Sequence, residues 1–160
     1  MKRSILFSLF LGSIAFTGHL LSTHAQAQAA TDALTPATLK STIAGLGYEI
    51  KDLSTTAGSE KYEFTIVASG FNFPISAEIS PSKAYCWFTL FMGTTKATTP
   101  YQELLEKNAE VQPCQFYVTS KGNLMMGLAL ENRGPTPAML RKAIDFLSAQ
   151  AAKTSTTWSK

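Results

Sequence analysis

Phe71-Asn72-Phe73-Pro74-Ile75-Ser76-Ala77-Glu78-Ile79 alternates apolar and polar side chains for nine residues, and this stretch decides the fold class. Successive side chains of a strand point to opposite faces, so the pattern describes a strand with one dry face and one wet face. Tyr62, Phe64 and Ile66 repeat it against Glu63 and Thr65 just upstream. Ser69-Gly70 and Ser80-Pro81-Ser82 supply turns, so these two segments and the next, Ala84 to Met92, are expected to form an antiparallel meander. Tyr48 to Leu53 is expected as an additional strand at its edge, and Gln115 to Thr119 with Leu124 to Leu130 as a hairpin around Ser120-Lys121-Gly122-Asn123.

Helices punctuate this sheet. Thr35-Pro36, Thr99-Pro100 and Thr136-Pro137 each read as an N-cap followed by a first-turn proline, which gives up an N–H that has no partner there. Gln102, three residues after Thr99, would complete a capping box. The first helix is expected from Pro36 to Leu46, with Leu39, Ile43 and Leu46 on one face and Gly47 as the left-handed stop. The second runs from Pro100 to Asn108. In the third, from Pro137, Leu140, Ala143, Ile144, Leu147 and Ala151 follow the helical period. The expected architecture is α+β, an antiparallel sheet of five to six strands with three helices in the order α-β-β-β-β-α-β-β-α. It occupies residues 35–152, and 153–160 reads as a polar, flexible tail in which Trp158 is a candidate for docking.

The N-terminus reads as an export signal over residues 1–27. Lys2-Arg3 forms a positive n-region, Ile5 to Phe16 an apolar core, and the small residues Ala25 to Ala29 a cleavage site near 27–29. The apolar run is shorter than the ~20 residues a spanning helix needs, so no stable membrane insertion is expected after cleavage. Residues 28–34 then form a linker, and the mature protein is expected in the periplasm or secreted. The 160-residue chain has 14 Lys+Arg against 11 Asp+Glu, and the leader takes Lys2 and Arg3 with it. A nearly neutral mature chain with scattered lysines lacks the basic stripe that nucleic acid requires.

His19 and His24, the chain's two histidines, also fall in the leader. Without them no Ser-His-Asp or Cys-His pair can be assembled, nor a His-bearing metal site. The expectation is therefore no catalytic set, no cofactor and no enzyme. Cys86 and Cys114 are expected to form a disulfide in an oxidising compartment, with two separate buried thiols as the alternative.

Tyr85-Cys86-Trp87-Phe88-Thr89-Leu90-Phe91 is apolar on both faces, unlike an ordinary two-layer strand. Tyr85, Trp87 and Phe91 would share the face opposite Cys86, Phe88 and Leu90; that face is either covered by a loop, the tail or neighbouring aromatics, as in a central strand, or is a candidate binding patch. Met125 and Met126 raise the same question, with core packing as the ordinary answer. Arg133, in the loop Asn132-Arg133-Gly134-Pro135, is a candidate ligand grip, although surface arginines are common. An alternative is an aromatic-lined hollow for an apolar small molecule, built from Tyr85, Trp87, Phe71 and Phe73.

Leu104-Leu105-Glu106-Lys107-Asn108, then Phe116, Gly122, Leu124, Leu128 and Leu130, then a final amphipathic helix, resembles the YbjN-like family and the wider type III secretion chaperone-like fold. The resemblance implies a non-enzymatic module that binds protein or peptide, often as a homodimer.

Overall fold

The computed structural model describes residues 32–159; the expected leader and cleavage site, and Lys160, lie outside the described residues. The elements are α1 (Pro36–Gly45), β1 (Lys51–Ser54), β2 (Lys61–Ala68), β3 (Phe71–Ile79), β4 (Tyr85–Thr94), α2 (Tyr101–Lys107), β5 (Cys114–Val118), β6 (Asn123–Glu131), α3 (Pro137–Lys153) and the short α4 (Ser155–Trp158). The class is α+β, as the sequence indicates. One six-stranded antiparallel sheet has the order β1-β2-β3-β4-β6-β5.

Ser69 and Gly70, with φ of 50° and 82°, make the two-residue turn that registers Ala68 opposite Phe71. Turns of that hand match the twist of the flanking strands. Registers then align the apolar positions into rows across the sheet. One row is Phe64–Ile75–Leu90–Met126–Phe116 and the next is Tyr62–Ala77–Phe88–Leu128–Cys114. All ten side chains are buried. Leu39 and Ile43 of α1 and Leu140, Ile144, Leu147 and Ala151 of α3 cover these rows and complete the core. Pro74 is tolerated in β3 because the β3–β4 ladder begins only at Ile75.

Two of the three Thr-Pro pairs cap as expected. Thr35 accepts from Thr38 N and Thr38 reciprocates, while Thr136 accepts from Met139 N. At the third, the helix starts one residue later, at Tyr101 with Pro100 as N-cap, and no side chain caps it. Thr99 Oγ1 instead accepts from Lys96 N at 2.8 Å, closing the preceding turn, and Gln102 donates forward to Glu106. The expected flexible tail also differs. Thr154 and Thr157 are buried, Thr157 donates to Glu103, and Trp158 donates to Ala151 O at 2.7 Å with its ring 5.9 Å from Phe71.

Three polar side chains join the ends of distant elements. Asn132 is buried, and its amide accepts from Leu34 N and donates to Leu34 O and Lys83 O, at 2.8, 2.9 and 3.0 Å. The end of the expected linker is therefore pinned to the β3–β4 turn and to the end of β6. Arg141 of α3 donates to the C-terminal carbonyl of Leu46 beyond α1 and to Tyr48 Oη. Asn108 pairs with both the N–H and C=O of Phe116, as a neighbouring strand would, and so blunts the outer edge of β5.

The expected disulfide is absent: Cys86 and Cys114 are both free and buried. Cys86 lies on β4 and Cys114 on β5, with β6 between them. Two strand spacings are about 9–10 Å, beyond the roughly 7 Å that a bridge can span between Cα atoms. Burial pushes the Cys86 thiol up to about 11 and the Cys114 thiol up to about 12.

Native protein should leave both thiols unreacted with a disulfide reagent near pH 8, and denatured, unreduced protein should titrate two per chain; finding none would restore the bridge. Because both folded values lie above the unfolded one, the thiols' contribution to stability is complete below about pH 8.5 and is lost as pH rises towards 11 and 12. Asn132→Ala should cost about 2 kcal/mol by orphaning part-buried backbone groups of Leu34 and Lys83, and should accelerate amide exchange at Leu34. A loss under about 1 kcal/mol in denaturant melts would show that the clip is dispensable.

Candidate functional site

Every helix packs on the side of the sheet that carries the apolar rows. The opposite face has no covering element among the described residues. Alternation along β4 sends Tyr85, Trp87, Thr89 and Phe91 to that face, while Cys86, Phe88 and Leu90 enter the core. Phe91 is 51% exposed and Tyr85 42%, and Trp87 is half-buried. The cross-strand rows here are Lys61–Glu78–Trp87–Ala129, Glu63–Ser76–Thr89–Gly127–Gln115 and Phe91–Met125–Tyr117. The adjacent methionines therefore divide, Met126 into the core and Met125 onto the open face.

Gly127 shapes the centre of this face. A Cβ there would lie 3.1 Å from Tyr117 Cε1, so the absent side chain lets that ring settle onto the sheet, while Trp87 Cζ3, at 3.7 Å, would be in ordinary contact. Between the rings and the β3–β4 turn lies an open groove of about 520 Å³, lined by Glu78, Ser80, Trp87, Thr89, Gln115 and Tyr117 together with Pro81. Thr89 forms part of its lining at 5% exposure, and its Oγ1 has no hydrogen-bond partner. Lys61 donates to one oxygen of Glu78 at 3.3 Å, and both side chains are about one-third exposed. Burial, and secondarily the Glu78 carboxylate, raises the Tyr117 phenol above its ordinary value, so it stays a neutral donor at neutral pH.

The expected site residues do not all meet. Tyr85, Trp87 and Phe91 line up along β4, but Arg133 sits beyond the end of β6. It is exposed and shares a separate cleft of about 490 Å³ with Tyr85, Asp32, Glu131 and Asn132. The expected aromatic hollow is not formed, because Phe71 and Phe73 belong to the parity of Ile75 and lie on the helix side. Phe73 is buried, and Phe71 packs on Trp158. Tyr117 and Gly127 were not singled out by the sequence; the signal was an aromatic at an outward position of β5 opposite a strand-interior glycine. A second apolar recess of about 490 Å³ lies where β6 runs past the end of β5, between Pro113, Leu130, Met139 and Phe146.

No protein-family model and no curated protein matches the chain. Among solved structures, the fold is similar to a chain of the heterodimeric ExoU–SpcU complex from the type III secretion system of Pseudomonas aeruginosa. The TM-score is 0.51 at 13% identity, covering 71% of this chain and 91% of that one. The similarity is one of fold alone.

Proposed function

We propose that this chain is an exported, non-enzymatic module, periplasmic or secreted, that binds a protein or peptide through the open face of its sheet. The observation that carries the reading is the uncovered outer face of β4, with Tyr85, Trp87 and Phe91 in one line beside Met125 and Tyr117. Large aromatics at the centre of a contact supply a disproportionate share of binding energy. A sheet face that helices leave open is also flat enough for a macromolecule, whereas drug-sized ligands favour concave pockets. The likeness to a chain of a heterodimeric secretion complex supports a protein partner, and a second copy of this chain is one such partner. Absence of turnover rests on the position of both histidines in the leader, which removes the commonest general base near neutral pH.

The test separates contact from stability. Phe91→Ser should change folding stability by about 1 kcal/mol or less, since half of the ring is already wet. Phe88→Ala, one strand position class away in the core, should cost about 3–5 kcal/mol. In affinity capture from an envelope extract, Phe91→Ser and Trp87→Ala should lose the partner, and Leu105→Ser, on exposed α2, should keep it. Sedimentation at several concentrations identifies the case in which the partner is a second copy. Capture and self-association unchanged by both outer-face variants would overturn the reading.

A further inference from the structure

Resting on that reading, we propose that the groove beside Trp87 takes an arginine side chain presented by an extended segment of the partner. The argument is one of complementarity. Among the described residues Glu78 is the only charged side chain in the groove lining, and its Lys61 partner engages a single carboxylate oxygen from outside it. The pair is partly buried and makes one long contact, which leaves the second carboxylate oxygen to accept from a ligand. An anionic ligand would meet Glu78 with no lining cation to offset it. A wholly apolar ligand would leave the Thr89 hydroxyl, already deprived of water and partner, without a hydrogen bond.

A guanidinium meets each demand. It is planar, carries five N–H donors and stays charged at any ordinary pH. Glu78 and Gln115 bring oxygens to the groove lining, and the Thr89 hydroxyl, closed off from water in the empty groove, is an unsatisfied acceptor among them. Trp87 and Tyr117, the latter seated over Gly127, line the groove with aromatic surface on which a guanidinium stacks well. A lysine ammonium has the charge but not the flat shape, and fewer donors.

The test titrates the full chain, labelled with ¹⁵N, with pentapeptides carrying one central residue between alanines: arginine, lysine, citrulline or norleucine. Shifts are followed at the Trp87 indole N–H and at the Thr89 and Gly127 amides. The arginine peptide should bind at least about tenfold more tightly than the citrulline peptide, which keeps the shape but not the charge. Glu78→Gln should remove most of that margin, and Thr89→Val should weaken arginine binding by about fivefold. Thr89→Val removes an oxygen with no partner in the fold, so its melting temperature serves as the control for folding. Arginine binding no better than citrulline or lysine, or unaffected by both variants, would overturn the proposal. If norleucine binds best and Trp87→Ala abolishes it, the arginine assignment fails while the binding face stands. If no peptide shifts these signals and outer-face variants also leave capture unchanged, both readings fall.

Discussion

Strand parity is the constraint on which the molecule depends. Once Phe64, Ile75, Leu90, Met126 and Phe116 are in register across five strands, every second residue of the sheet is committed to one side. A slip of one residue in any strand would send its apolar set into water. The helices α1 and α3 then find a continuous apolar floor on that side only. The opposite face follows by default: it receives whatever side chains occupy the alternate positions, and in β4 these are Tyr85, Trp87, Thr89 and Phe91.

Register alone leaves the ends of the elements loose, and three polar side chains close them. Asn132 ties residues 98 positions apart by satisfying both backbone groups of Leu34, which fixes where the chain enters α1. Arg141 serves the C-terminal end of α1 from α3, where cationic donors complement the unpaired carbonyls. Asn108 occupies the hydrogen-bonding groups of Phe116 that would otherwise invite another strand. The open face thus differs from the sheet edge: the edge is guarded by an asparagine, whereas the face is left with half-exposed rings. That contrast directs the functional reading to side-chain contact on the face rather than strand addition at β5.

The secretion-complex likeness bears on shape and places no residue in a role. What distinguishes this chain's open face is local chemistry. Gly127 makes room for the Tyr117 ring beside Trp87, Thr89 keeps an unpaired hydroxyl near them, and Glu78 supplies the charge. These groups come from β3, β4, β5 and β6, so the groove exists only when the sheet is assembled.

The sequence by itself determined the period-two strands, the Ser69-Gly70 turn, the caps of α1 and α3, the core face of α3 and the shared face of Tyr85, Trp87 and Phe91, though not that this face is open. Each depends on side chains within a few residues of one another, where dihedral preference and alternation act directly. The tertiary structure decided what depends on pairing at long range. Placing β6 between β4 and β5 separated Cys86 from Cys114, although both cysteines were legible and the expected export favoured a bridge. It set Phe71 and Phe73 on the opposite side from Trp87, turned the polar tail into a helical turn docked through Trp158, and gave Thr99 a closer backbone partner than the helix it precedes. The groove was invisible for the same reason: Gly127 and Tyr117 are unremarkable in their own segments and become a site only because neighbouring strands bring them beneath and beside Trp87.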